Sequence, residues 1–103
     1  GVTMKKVSIL VVASAFSMLP FAAAQADDAK ATALMKKEGC VKCHSVSADK
    51  GGPSLKTISA KYKGKADGEE KVIAQFTKGE KHPHVKTKDD AEIKNLAKYI
   101  LSR

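Results

Sequence analysis

The sequence predicts an all-α protein, and three observations lead there. No stretch alternates apolar and polar residues with the period of two that a half-buried strand needs. Several stretches instead repeat apolar residues at spacings of three and four, each flanked by a residue that starts or stops a helix. The chain of 103 residues also begins with an apolar run that reads as an export leader, and the remainder is long enough for only one small domain.

The leader comes first along the chain. Met4-Lys5-Lys6 precedes the apolar run Val7 to Leu19, Ala24-Gln25-Ala26 has the form of a cleavage site, and the polar Asp27-Asp28 comes directly after it. The run is short for a membrane span and contains Ser8, Ser14 and Ser17. Residues 1–26 are therefore expected to be a cleaved secretory signal and 27–103 the mature domain. That domain is expected to be periplasmic and monomeric, with no stable membrane insertion.

In the mature chain, Asp28 to Glu38 is rich in Ala, Leu, Met and Lys and predicts a helix, with Gly39 as its stop. Ser45 to Pro53 holds Asp49, Gly51 and Gly52 and reads as a loop. Ser54 then caps a short helix carrying Leu55, Ile58 and Tyr62. Asp67 followed by Glu70 is a capping-box-like start to a helix with Val72, Ile73 and Phe76 on one face and Gly79 at its end. Glu80 to Lys86 contains Pro83 and no apolar period, so it is a loop. Thr87 and Asp90 open the last helix in an S/T-x-x-D pattern, and Ile93, Leu96, Ala97, Ile100 and Leu101 form its apolar stripe.

Charge narrows the function classes. The formal net charge is +8, from 19 basic and 11 acidic residues. Lysines spread along the chain without interleaved aromatics, and with Arg103 as the lone arginine, are a solvated surface, not a nucleic-acid footprint. Such a basic surface steers a protein toward acidic partners. The mature aromatics are Tyr62, Phe76 and Tyr99, so the core needs a staple that the side chains do not supply.

Cys40-Val41-Lys42-Cys43-His44 is the C-x-x-C-H pattern of covalent haem attachment. Two thiols spaced by two residues can each add to one haem vinyl group, and the next residue, His44, is then held where its imidazole reaches the iron as proximal ligand. Three other readings use the same residues. A redox dithiol expects a βαβ setting. A zinc site needs four ligands, for which His82 or His84 could join Cys40, Cys43 and His44. A structural disulfide suits an exported chain. None of them accounts for a histidine directly after the second cysteine or for so small an apolar core.

Residues 27–103 resemble the class I cytochromes c, in particular the short bacterial periplasmic type. The resemblance rests on a helix leading into C-x-x-C-H, the later Gly52-Pro53, a central tyrosine, and an ending Leu96-Ala97-Lys98-Tyr99-Ile100-Leu101-Ser102. It implies one haem c per chain and a non-enzymatic carrier of single electrons between periplasmic redox partners. It also implies N- and C-terminal helices crossing beside the haem, with Ala31, Leu34 and Met35 against Leu96, Tyr99 and Ile100. The Pro53 carbonyl is expected to accept a hydrogen bond from the proximal His44.

One feature departs from the family, whose usual distal ligand is a methionine in the loop before the last helix. Met4 and Met18 belong to the leader, and Met35 reads as core. The loop instead carries Lys81-His82-Pro83-His84-Val85. His82 is favoured as distal ligand because the family's methionine is commonly followed by proline, and His84 is the alternative. Two histidine ligands imply a lower potential than His/Met relatives have. The rival reading is a gas-binding or peroxidase-like haem protein with an open or labile distal site.

Overall fold

The computed structural model describes residues 25–103, so residues 1–24 of the expected leader lie outside the described residues. Helix α1 spans Asp28–Lys37, a 3-10 turn covers Cys40–Lys42, and α2 (Leu55–Tyr62), α3 (Gly68–Lys78) and α4 (Asp90–Leu101) complete the order. Among the described residues there is no strand, and an isolated bridge pairs His44 with Asp49. The all-α expectation holds.

The Asp27 carboxylate accepts from Lys30 N at 3.1 Å and starts α1. The helix ends as composition predicts, one residue short of Glu38: Glu38 N donates to Leu34 O at 2.8 Å, and Gly39 takes φ +80°. A left-handed residue at that place costs glycine least. The chain thus turns sharply into Cys40.

Helix α4 is the hub against which α1, α2 and α3 all pack. Leu96 and Ala97 are at most 1% exposed, and Ala31, Leu34 and Met35 share one buried cluster with Leu96, Tyr99 and Ile100. This is the crossing of terminal helices that the resemblance implies. The buried face of α4 is shifted from the expected stripe. Tyr99 is buried too, under the Arg103 guanidinium at 4.3 Å, whereas Ile93 and Leu101 are only partly covered. Buried Ser59 ties α2 to the end of α4, donating through Oγ to Leu101 O at 2.8 Å.

Two helix starts differ from expectation. Asp67 occupies the cap position of α3, but its side chain accepts no backbone hydrogen bond. Its backbone, at φ −106° and ψ 15°, is not the extended form of a working cap, and its carboxylate pairs with Lys71 at 3.5 Å. The first turn of α3 instead presses on α2, because a Cβ on Gly68 would collide with Tyr62 O. In α4 the cap is Asp89, not Thr87, and its Oδ1 accepts from Ala91 N at 2.9 Å and Glu92 N at 3.2 Å. Thr87 supports that cap from outside, accepting from Asp89 N and donating to Glu92 Oε1 at 2.6 Å. Replacing Asp89 with Ala should therefore cost about 1 kcal/mol, the usual loss for a cap. Asp67→Ala removes only an exposed ion pair and should stay within about 0.5 kcal/mol of wild type. Urea unfolding of the haem-loaded protein reads both, and equal losses would refute the assignment of caps.

Candidate functional site

His44 is held by three layers of structure, each fixed locally by sequence. The 3-10 turn closes through Cys43 N to Cys40 O at 3.1 Å and His44 N to Cys40 O at 2.9 Å, which brings the motif side chains out of one short turn. The return segment comes back against that turn: Gly52 N donates to Cys43 O at 2.9 Å. It then enters α2, whose first free N–H groups are all satisfied. Leu55 N donates to Ser45 O, Lys56 N to Val46 O, and Thr57 N to Ser54 Oγ at 3.1 Å. Asp49 Oδ1 accepts from Ser54 N at 2.6 Å. The first turn of α2 is in effect sewn to the residues just after the motif.

The outcome is a fixed Pro53 carbonyl 2.6 Å from His44 Nδ1. A carbonyl oxygen can only accept, so Nδ1 carries the proton and the Nε2 lone pair of His44 is free. Both glycines of the return segment are placed by close approach. A Cβ on Gly52 would sit 2.7 Å from His44 Cε1, and one on Gly51 3.3 Å from Cys43 Sγ. Composition marks this pair only as loop residues; the signal that they do more is their place directly before Pro53.

Across an apolar cavity of about 450 Å³ stands His82. Leu55, Ile58, Val72, Phe76, Leu96 and Ile100 line the cavity together with Met35, Cys40, His44 and His82. Met35 is core, as expected, and also part of this wall. Thr57, Lys61, Tyr62 and Gln75 also line the cavity; Tyr62 lies on the apolar face read from the sequence, whereas Thr57, Lys61 and Gln75 sit on an ordinary helix surface pattern that gives no sign of this role.

The two candidate distal histidines differ in chemistry as well as in place. His82 is half-buried and lines the cavity, and its Nδ1–H donates to Pro83 O at 2.7 Å, leaving Nε2 free. His84 is exposed and commits Nε2–H to Gly79 O at 2.8 Å. The rings of His44 and His82 have centroids 6.1 Å apart and planes inclined by 27°. An imidazole nitrogen lies about 1.1 Å from its ring centroid and binds a metal at about 2.0–2.1 Å, so two rings ligating one ion end on sit about 6.3 Å apart. The centroid separation is close to the one two imidazoles sharing an iron would have, and the apolar cavity suits the macrocycle.

The rival uses of the motif find less here. Burial pushes the Cys40 thiol above its ordinary 9.0 and Glu38 adds to the effect, against the pull of a backbone hydrogen bond. A redox dithiol needs the opposite shift. Among the described residues no three His, Cys, Asp or Glu side chains converge as a metal cluster, and a structural zinc site takes four. Cys40 lines the cavity, whereas Cys43 is exposed and is not part of that lining.

Gly52→Ala should push the His44 ring off the Pro53 carbonyl, since the added methyl would lie closer to Cε1 than van der Waals contact allows. Reduced yield of haem-loaded protein, or a shifted Soret band in the recovered fraction, is the expected outcome. A variant with wild-type yield and spectrum would show that the ring does not depend on this approach.

The family model for Cytochrome c matches residues 29–103. Among curated proteins, cytochrome c-552 of Nitrosomonas europaea is 35% identical over 98 residues, 87% of this chain and 88% of that protein. Cytochrome c-551 of Allochromatium vinosum is 41% identical over 46 residues, 45% of this chain, so the chain matches about half of that relative, 49% of its length. Among solved structures, the class 1 cytochrome MtoD of Sideroxydans lithotrophicus ES-1 superposes with a TM-score of 0.64 at 36% identity, covering 75% of this chain and 96% of that one.

Proposed function

The chain belongs to the cytochrome c family as a class I monohaem member, and we propose that it is a periplasmic electron carrier whose iron is held by His44 and, in departure from the family, by His82. Haem c, one per chain, supplies the one-electron iron couple when bound. Cys40 and Cys43 are the residues that would hold it covalently. His44 serves as proximal ligand with its basicity raised by the Pro53 carbonyl. The observation that carries the distal assignment is the 6.1 Å separation of two imidazoles whose Nε2 lone pairs are both free.

Histidine in place of methionine removes the ligand that raises the potential, so this carrier works at lower potential than His/Met relatives. Axial ligands span roughly 0.8 V among haem proteins, more than surface charge contributes. Docking is transient, as expected of small electron-transfer interfaces. Val41 and Val46 are exposed beside the motif at 42% and 43%, and Lys42 and Lys50 lie near them in sequence. Exposed valines with lysines near them in sequence suit a partner with an acidic rim, and association should slow as salt rises.

Export rests on the leader pattern, and cleavage before Asp27 also suits the fold. Asp27 N donates to Asn95 Oδ1 at 2.7 Å and Asn95 Nδ2 to Asp27 O at 2.9 Å, so a chain starting there has its first residue clasped by α4. No helix among the described residues is long and apolar enough to cross a membrane. Denaturing mass spectrometry of periplasmic material tests processing and attachment together. The expected mass is that of 27–103 plus one haem, and an unmodified chain with two free thiols would overturn the attachment.

Ligation is tested by spectroscopy. The protein is expected to be six-coordinate and low-spin, without the near-infrared sulfur-to-iron band of His/Met haems, and its reduced form to bind carbon monoxide slowly or not at all. His82→Ala should make it high-spin and quick to bind carbon monoxide, with His84→Ala leaving the spectrum nearly unchanged. The reverse pattern moves the ligand to His84. Rapid carbon monoxide binding by the wild type, unaffected by either change, favours an open distal site and a gas-binding role.

A further inference from the structure

Glu38 lies two residues before Cys40, yet its carboxylate faces the other side of the cavity's frame. Oε1 accepts from Lys86 N at 2.8 Å and Oε2 from Thr87 N at 3.1 Å. Lys37 and Lys86 are close enough to act on its charge, but neither forms an ion pair with it. Both oxygens are given to backbone donors, and these come from the stem of the loop that bears His82, 48 and 49 residues along the chain. The Lys86 N–H does most to hold the Glu38 carboxyl below its ordinary 4.5, with burial opposing and the Thr87 N–H assisting.

The rest of that loop shows what the clasp controls. Val85 N donates to Phe76 O at 2.9 Å and His84 Nε2–H to Gly79 O, so the cross-loop bonds fall on residues 84–87. Among the described residues the side chain of His82 hydrogen-bonds only to the adjacent Pro83 carbonyl, a contact that moves with it. On its other flank Lys81 is held at φ +58°, a left-handed conformation that a lysine adopts at a cost. Apart from the proposed bond to iron, no bond at the tip therefore ties the ring to the cavity, and the cross-loop bonds lie at the stem. Charge-assisted hydrogen bonds are the strong kind, and the two at Glu38 join the stem directly to the residue that leads into the attachment motif.

We propose that Glu38 is a positioning residue for the distal ligand: by clasping Lys86 N and Thr87 N it keeps the His82 ring in the cavity and sets how readily that ring gives up its place. The proposal rests on ligation of the iron by His82. It assigns Glu38 no contact with iron or haem and no part in the electron transfer itself.

Carbon monoxide binding to the reduced, haem-loaded protein reads the lability directly, because an external ligand binds only to the fraction of molecules whose distal place is open. Glu38→Ala should raise the binding rate about tenfold or more, the scale of a lost hydrogen bond to a charged group. Glu38→Gln keeps one carbonyl acceptor and should fall between Glu38→Ala and wild type, which also covers the case in which the alanine variant does not fold. Glu69→Ala is the structural control. It breaks the 2.9 Å Glu69–Lys98 pair between α3 and α4 and should lower stability without changing the carbon monoxide rate. If both Glu38 variants bind carbon monoxide at the wild-type rate while His82→Ala binds it fast, the ligation stands and the role of Glu38 is overturned. If the wild type binds as fast as His82→Ala, the ligation itself fails and the proposal falls with it.

Discussion

Under the proposed ligation, two imidazoles whose centroids stand 6.1 Å apart have to be held facing one ion, and the cavity they line takes the place where a small helical protein would otherwise put its core. The described residues include few large apolar side chains, and seven of them, Met35, Leu55, Ile58, Val72, Phe76, Leu96 and Ile100, line that cavity. The fold therefore gains its rigidity around the edge. Helix α4 gathers the other three helices, small residues such as Ala31 and Ala97 let α1 approach it closely, and buried Ser59 fastens α2 to its end. Filling the cavity with an apolar macrocycle completes a core that side chains alone leave open.

The two sides of the cavity are built in different ways. His44 is fixed by neighbours close in sequence: the 3-10 turn, the Gly51-Gly52-Pro53 return and the capped start of α2 all lie within residues 40–58. His82 sits at the tip of a loop whose bonds are made behind it. A side chain held on all sides by local bonds keeps its orientation even when the rest of the molecule loosens. One held through a loop stem answers to whatever happens at the stem, which is why long-range contacts such as those of Glu38 matter more on that side.

Much of this is legible in the sequence, and for a physical reason. Helix stops and starts that depend on one residue's own backbone or side chain, such as Gly39 and Ser54, fall where composition predicts them because the cause is local. The attachment motif is readable because its chemistry demands fixed spacing. The cap of α4, Asp89, lies two residues beyond the Thr87 expected from the pattern. Thr87 and Asp89 both have capping chemistry, and only the packing of Val85 and the Lys86 stem decides which one meets the helix axis. Asp67 fails as a cap for a similar reason, since the tight seating of Gly68 on Tyr62 O sets the entry angle of α3. Glu38 leaves no signal at all. A glutamate at the end of a lysine-rich helix has the pattern of a solvated side chain, and its partners are backbone groups 48 and 49 residues away.

His44 and His82 share one more feature, and it works differently in each. Both donate Nδ1–H to the carbonyl of a proline, at 2.6 Å and 2.7 Å. In each ring this bond selects the tautomer with a free Nε2 and makes that nitrogen a stronger donor. Under the proposed ligation, the electronic effect on the iron is then alike from both faces, and it adds to the loss of a methionine in favouring the oxidised state. The mechanical effect is unlike. Pro53 belongs to a segment anchored to α2, so its bond also fixes the direction of the His44 ring. Pro83 is the next residue after His82, so its bond travels with the ring and fixes only which nitrogen is free. A carrier built this way has one ligand that is set in place and one that is chemically prepared but held from a distance, and its distal side is the place where substitutions change behaviour without dismantling the fold.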